Sequence, residues 1–461
     1  MNQKNYKIIH DGVHGAIKLP EPFLSLVETP EAARLRGIKQ LGLANLVYPG
    51  ANHSRFEHSI GAGYVARKLA AELNLSKEEE NTIFAAGLLH DIGHNPFSHT
   101  LESTIVRRLN KNHMDTTSEM ILGKYDILRE QEKGIFTLGS NTTQTHAARK
   151  GDATMTPTLQ ACDNSDKKGY GQPWCRQTIY EILKEEGISP EIVSDLITGK
   201  KDRVKRYMAE VIHGRIDADQ IDYLLRDAHY TGVAYGAVDA SRLFQTLLVV
   251  EDDLAISRNG IPAAENLLTA RALMYSSVYF HKTVRIAELM LQRAFERIEE
   301  KIPSDINVMT DCEFSNYMLS LGGLQAETML RIKYRRLYKA AYSKSVAEIK
   351  AMGEKTMQAV LALTQEKARR EFEDEIAAKA SLPAGSVIVD LPHKDILINE
   401  PRLHLTDIPV YDGSSIRMLS EYSPLAKALQ LRVIPEWGLL VACPPEARKD
   451  VAAVVKKGLE G

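Results

Sequence analysis

Along most of this chain the hydrophobic positions return every three to four residues, with polar positions between them. That period gathers the apolar side chains on one face of a helix. It predicts helices between Pro30 and Leu128, in PEAARLRGIKQL, FEHSIGAGYVARKLAAEL and SKEEENTIFAAGLLHDIGH. Ser76 and Glu79 have the spacing of a capping box, which starts the helix that carries His90 and puts the His90–Asp91 pair at a helix end. Between about Glu130 and Pro173 the period stops in a run of Gly, Thr, Asn, Asp and Lys, which reads as a lid near a site or as a surface insertion. Helical spacing resumes at Ile179 and continues through AEVIHGRIDADQIDYLLRDAHY, ENLLTARALMYSSVYFHKTVRIAELMLQRAFERIEEKI and EKARREFEDEIAAKA. After Pro383 the texture turns to short β-branched runs broken by Pro, Gly and Asp, followed by a last helical stretch, ARKDVAAVVKKGL. YKIIHD and GAIKL near the start read as a β-hairpin, and no internal repeat is present.

The pattern predicts a mainly α fold, a helical core with a small C-terminal α+β appendage. Its divisions are a first core part at 1–129, a polar insertion at 130–175, a second core part with a helical extension at 176–382, and the appendage at 383–461. A chain of 461 residues exceeds what one hydrophobic core usually fills, in keeping with that division. A hydrophobic content of 44% with 26% charged residues marks a folded chain. The net charge of -2 gives no global pull on nucleic acid or anionic lipid, so a small-molecule partner is expected, with neither nucleic acid nor membrane. The opening MNQKNYKIIHDG lacks the apolar centre of a signal peptide, and no apolar run approaches the roughly 18 residues of a membrane span, so a cytoplasmic location is expected. Cys162, Cys175, Cys312 and Cys443 are too scattered for a disulfide framework and lack the CxxC spacing of a zinc site.

Histidine and aspartate recur in an order that suits one metal cage: His58 in SRFEHS, His90 and Asp91 in AGLLHDIGH, and Asp219 in IDADQIDYLLRD. HDIGHNPFSH alone places three histidines and an aspartate in ten residues, a density that packing does not require. Imidazole nitrogens mixed with carboxylate oxygens suit iron, manganese, zinc, cobalt or nickel, and fit calcium or an all-sulfur cluster poorly. On a continued helix His90 and His94 would share a face, with Asp91 a quarter turn round. Arg55, three residues before His58, can reach a phosphate held there or serve a surface salt bridge. Tyr223 and Asp227 follow Asp219 at four and eight residues, along one helical stripe.

Taken together, ETPEAARLRGIKQLG, YPGANHSRFEHSIGAGY, AGLLHDIGHNPFSHTLE, IDADQIDYLLRDAHYTG, SSVYFHK and LSEYSPLAKALQ resemble the HD superfamily. Within it they resemble the SAM-and-HD-domain deoxynucleoside triphosphate triphosphohydrolases, without a separate SAM domain. The resemblance makes the helical core an HD domain, with His58, His90, Asp91 and Asp219 as metal ligands. It implies that His94, His99 and His113 work around the phosphates, with Glu102 where the family has an acid. It further implies Tyr223 and Tyr279 crowding the sugar, Gln40 and Asp227 on its 3'-hydroxyl, Leu41 on the base, and Arg271 at the distal phosphates. Tyr275 stands where mammalian members contact the nucleotide with a histidine, and Gln220 where they set a lysine on the phosphates. Of the family's regulatory nucleotide site Arg36, His281 and Lys282 match, while Glu28 and Ala33 depart. The implied cofactors are a divalent metal in the cage and magnesium with the substrate phosphates, and the implied assembly is a homo-oligomer, a dimer or tetramer.

Three readings of function stand at this point. The leading one is hydrolysis of a deoxynucleoside triphosphate at its α-phosphate, to a deoxynucleoside and tripolyphosphate. A second keeps the cage and changes the phosphoester. A third makes the chain a nucleotide sensor or nucleic-acid-binding partner with a structural cage. The presence of all four ligands and Arg55 favours an enzyme, since a retired one typically loses at least one of them.

Overall fold

A computed structural model describes residues 6–127, 177–200, 202–299, 302–391, 407–430 and 437–460. The 130–175 insertion, Cys162 and Cys175 lie outside the described residues. The architecture is mainly α, with three small sheets among the described residues. No helix among the described residues is long and apolar enough to cross a membrane.

The N-terminal hairpin forms as its alternation predicts: β1 (Tyr6–Asp11) pairs antiparallel with β2 (Gly15–Pro20). The helices that build the site are α1 (Arg55–Glu72), α2 (Lys77–Leu89), α3 (His99–Leu109), α4 (His113–Ile121), α5 (Ala218–Thr231), α6 (Ile261–Met274) and α7 (Lys282–Glu296). Farther along lies α8 (Glu366–Lys379). Caps fix several starts. Ser76 accepts from the Glu79 amide at 3.3 Å and its own amide donates to Glu79 at 3.0 Å, the predicted box at the head of α2. Ser54 and Glu57 form the same box at the head of α1, three residues ahead of His58.

PEAARLRGIKQL is less helical than its spacing predicts: only Pro30–Arg34 is α-helical, followed by one 3₁₀ turn over Leu35–Gly37. The cause is tertiary. The buried Arg34 guanidinium donates to the carbonyls of Ile92, His94 and Met309, and Lys39 forms an isolated bridge with Ser54. These bonds bend the segment away from a helix, and the Gln40 amide donates to the His53 carbonyl at 3.0 Å.

A large core cluster joins the hairpin residues Ile17 and Leu19 to α1, α2, α5 and α6, while a second packs Leu101 and Ile105 of α3 against Ile286, Met290 and Phe295 of α7. The β-rich end is woven into the helical body through two sheets. β3 (Leu247–Val250) and β4 (Asp253–Ser257) form a hairpin, and β4 runs parallel to a later strand, Pro409–Tyr411. Similarly, Lys339–Lys344 and Ile388–Asp390 flank Leu439–Cys443 in an antiparallel three-stranded sheet.

Where that sheet meets α3, α7 and α8 lies a buried ionic network. Glu296 accepts from Arg107 at 2.8 Å, Arg293 at 2.9 Å and Arg369 at 2.9 Å, and Glu373 takes Arg293 at 3.3 Å and the Val389 amide at 2.9 Å. Burial opposes the charge on Glu296, but Arg293, Arg369 and Arg107 outweigh it and hold the carboxyl down to about 2. A folded-state pKa below the unfolded one stabilises the protein above the ordinary carboxyl range, and that stability is lost as pH falls towards the folded value. Glu296→Gln is therefore expected to cost about 3 kcal/mol at neutral pH. The deficit should shrink as pH falls from 4.5 towards about 2. Urea unfolding of parent and variant at pH 7 and pH 3 measures it, and an equal gap at both would disprove the linkage.

Candidate active site

The first turn of α1, the end of α2 and the first turn of α5 converge on one point. His58 is buried on α1 with Nδ1 2.8 Å from Asp222 Oδ2, and His90 caps α2 with Nδ1 2.8 Å from the Gly87 carbonyl. Both partners only accept, so each Nδ1 carries the proton and each Nε2 keeps its lone pair. Neither Nε2 makes a hydrogen bond within the protein. Asp219 Oδ1 lies 2.9 Å from His58 Nε2 and 3.7 Å from His90 Nε2, the shorter contact falling outside hydrogen-bond geometry. His58, His90 and Asp219 offer three ligand atoms, all within 4.8 Å of one another. Two inward imidazole lone pairs and a carboxylate oxygen fit a divalent transition metal. Burial opposes positive charge on His58, but Asp219 and Asp222 raise its imidazole to about 10, a negative environment that equally favours a cation.

Asp91 stands beside this group. Its Oδ1 is 3.3 Å from His90 Nε2 and also 3.3 Å from His94 Nε2, while its Oδ2 accepts from Arg55 at 2.5 Å. Arg55 is thus braced more than free, since its Nε also donates to Ser98 at 2.8 Å; its second terminal nitrogen lies 3.5 Å from His99 Nε2. α2 ends at Leu89, so His90, Asp91 and His94 sit on a cap and turn, and not along one helix as the spacing predicts. Gly93 makes that turn workable. A Cβ there would come within 2.3 Å of the His113 carbonyl and 2.5 Å of the Thr117 amide, so α4 packs directly on the turn.

The three histidines expected around the phosphates and Glu102 form one cluster. Glu102 bridges two imidazoles, His99 at 3.1 Å through Oε2 and His113 through Oε1. The His113 ring stacks on His94 with centroids 4.1 Å apart. Burial opposes ionisation of Glu102, but His113 and His99 hold it far below the ordinary carboxyl range. Burial, together with Arg55 and His113, holds His94 well below the ordinary imidazole value, so its ring is neutral at pH 7.

Farther along α5 the wall becomes aromatic. Tyr275–Tyr279 forms a π-helical turn after α6, closed by the Phe280 amide on the Tyr275 carbonyl at 2.9 Å. It sets the Tyr275 and Tyr279 rings 4.8 Å apart, with Tyr279 6.1 Å from Tyr223. Tyr279 donates to Asp227 Oδ2 at 2.7 Å, and His53 holds Asp227 Oδ1 at 2.8 Å. Burial raises all three phenols, Tyr223 to about 12, so they remain donors at neutral pH. Arg271 is buried with Nε and one terminal nitrogen unpartnered, and Gln220 and Gln40 each carry an unpartnered buried Oε1. Leu41 packs at the core edge.

Asp222 and His53 were missed by the sequence reading. A weak signal exists for Asp222: Asp219, Asp222 and Arg226 follow at helical spacing, which announces an ion-paired stripe. His53 gives none, because its partner is distant in sequence.

Comparison with known proteins agrees with this geometry. The HD domain family matches residues 55–150, and the HD associated region matches residues 238–460. An uncharacterized protein of Methanocaldococcus jannaschii is 30% identical over 454 residues, covering 96% of this chain and 81% of that one. The deoxynucleoside triphosphate triphosphohydrolase SAMHD1 of Bos taurus is 25% identical over 333 residues, covering 65% of this chain and 49% of its own, so the match spans about half of that relative. Among solved structures, a hypothetical protein from Aquifex aeolicus superposes with a TM-score of 0.68 at 27% identity, covering 98% of this chain and 100% of its own. A phosphohydrolase from Bacteroides thetaiotaomicron shares the fold, with a TM-score of 0.62 at 23% identity over 95% of this chain and 99% of its own.

Proposed function

The chain belongs to the HD-domain family, and from that premise we propose that it hydrolyses deoxynucleoside triphosphates at the α-phosphate, releasing a deoxynucleoside and tripolyphosphate. The observation that carries this reading is Arg271. A buried guanidinium with unused donors calls for an anion, and both Arg271 and Asp219 act electrostatically on Tyr223. A buried cation with unused donors and the candidate metal ligand Asp219 thus both lie close enough to Tyr223 to act on it.

Each residue then has a task. His58, His90 and Asp219 hold a divalent cation, with Asp91 beside them. When bound, that ion polarises a phosphoryl oxygen and acidifies water. Arg55, braced by Asp91 and Ser98, keeps terminal N–H donors for the α-phosphate. Water oxygen adds to the α-phosphorus and gives up one proton to solvent, the bond to the 5'-oxygen breaks, and the departing oxygen takes a proton that His99 Nε2 has first taken up from solvent. Glu102 fixes the His99 ring, and His94 and His113 line the phosphate side. Asp227 keeps a second lone pair on each oxygen for the 3'-hydroxyl, with Gln40 as its companion, while the Tyr223 and Tyr279 rings leave little room for a 2'-hydroxyl. Tyr275 and Leu41 complete the nucleoside wall, and Arg271 meets the distal phosphates with magnesium. Assembly as a homo-oligomer in the cytoplasm belongs to the same proposal.

A second reading, another nucleotide or phosphoester on the same cage, draws on Gln220, a neutral buried side chain on the first turn of α5 beside Asp219. Hydrolysis in heavy-oxygen water over a panel of deoxy- and ribonucleotides separates the two. The proposal expects the label in tripolyphosphate, none in the deoxynucleoside, and no early orthophosphate. Early orthophosphate or pyrophosphate would remove the α-phosphate assignment, and turnover of non-triphosphate esters alone would transfer it to the second reading.

A further inference from the structure

We infer that the tip of the N-terminal hairpin is part of the outer support of the metal centre, with His14 acting through Asp222 to fix the ring of His58. The inference rests on the cage reading above. In the turn between β1 and β2, Asp11 Oδ1 accepts from the amides of Val13 at 2.9 Å and His14 at 2.8 Å, which closes the turn and directs the His14 side chain inward. There its Nε2 lies 2.6 Å from Asp222 Oδ1.

Asp222 is the residue through which this contact reaches the cage. Its Oδ2 takes His58 Nδ1 and Arg226 Nε, each at 2.8 Å, and its Oδ1 takes His14 and the second Arg226 nitrogen at 3.0 Å. A carboxylate has about four lone-pair directions, and all four are occupied. The carboxylate therefore cannot turn without breaking a bond, and neither can the imidazole it holds. Arg226 returns to the hairpin, donating to Asp11 Oδ2 at 2.8 Å. Backbone closes the remaining side: a Cβ on Gly61 would fall 2.0 Å from Asp222 Oδ1 and 2.2 Å from the Arg226 guanidinium.

Packing alone does not account for this arrangement. Ile17 and Leu19 already bury one face of the hairpin. A buried cluster of two histidines, two aspartates and an arginine folds at a desolvation cost that apolar side chains of the same volume would avoid. What such a cluster supplies is a fixed tautomer and orientation at His58, the role of outer partners of metal-bound histidines.

The test is titration of the metal-free full chain with Co²⁺, followed by visible absorption and calorimetry, on the parent, His14→Ala and His14→Gln. His14→Ala should weaken Co²⁺ binding about tenfold and alter the absorption band. His14→Gln, whose amide can still donate to Asp222, should recover most of the affinity. Unchanged affinity and spectrum in His14→Ala, whether or not the metal-free melting temperature drops, would overturn the inference and leave His14 a folding residue only. If His14→Ala does not fold, the comparison of His14→Gln with the shorter His14→Asn decides, since only Asn should lose affinity. Failure of the cage reading looks different, because the parent itself would then bind no Co²⁺ that His58→Ala abolishes, and both inferences would fall.

Discussion

Asp219→Ala and His90→Ala are each expected to yield a folded protein without bound metal, with turnover down by about three orders of magnitude or more. Both side chains reach the cage from helix ends, so their loss leaves the apolar faces of the two helices intact. Asp219 is one-third exposed on the first turn of α5, and His90 follows the last residue of α2. Without Asp219 the two imidazole nitrogens face each other across rings 5.1 Å apart, with no carboxylate to balance a cation. Without His90 the site retains one imidazole and one carboxylate, too few donors for tight tetrahedral binding. Elemental analysis and circular dichroism of the purified variants check both halves of the expectation. Full metal content with parental turnover in either variant would dismiss the cage.

Gly61→Ala should be strongly destabilising, at about 3 kcal/mol of stability. Alanine ordinarily favours a helix interior by about 1 kcal/mol over glycine. Here the sign reverses, because the added methyl would lie within 2.2 Å of both the Asp222 carboxylate and the Arg226 guanidinium. Neither group can withdraw. Arg226 is fully buried, and Asp222 is bonded on both oxygens. Chemical unfolding gives the loss directly, and a midpoint equal to the parent's would show that the helix shifts to accommodate the methyl.

The helices and three of the four candidate metal ligands, Asp91 excepted, were legible because their signals are local. The capping box at Ser76 occupies four residues, the hairpin at Tyr6–Pro20 shows strand alternation, and His58, His90 and Asp219 come from three short motifs. What was not legible depends on partners far along the chain. β3 and β4 turn at Glu251 and Asp252, both with positive φ, a turn usually announced by Asn or Gly, so no hairpin was expected there. SSVYFHK has helical spacing, yet a single i to i+5 closure makes it a π turn and re-aims Tyr279 towards Asp227. The extension of α2 through His94 failed because Gly93 and the approach of α4 favour a turn. His53 and Asp222 became visible only when α5 lay against α1.

The ionic network around Glu296 bears on the order in which the protein is completed. α3 supplies Arg107 to it, and the same helix presents His99 and Glu102 to the site. The other contributors are Arg293, Arg369, Glu373 and the Val389 backbone, spread over the following three hundred residues or so. During synthesis, which adds about 5–20 residues per second, the His58–His90 pair can meet within seconds of emerging, whereas α3 finds its last partners only after residue 389 has left the ribosome. The three candidate metal ligands are therefore all synthesised once residue 219 has emerged, whereas the helix that carries His99 gains its last partner only after residue 389, so the surroundings of His99 are completed after the candidate cage.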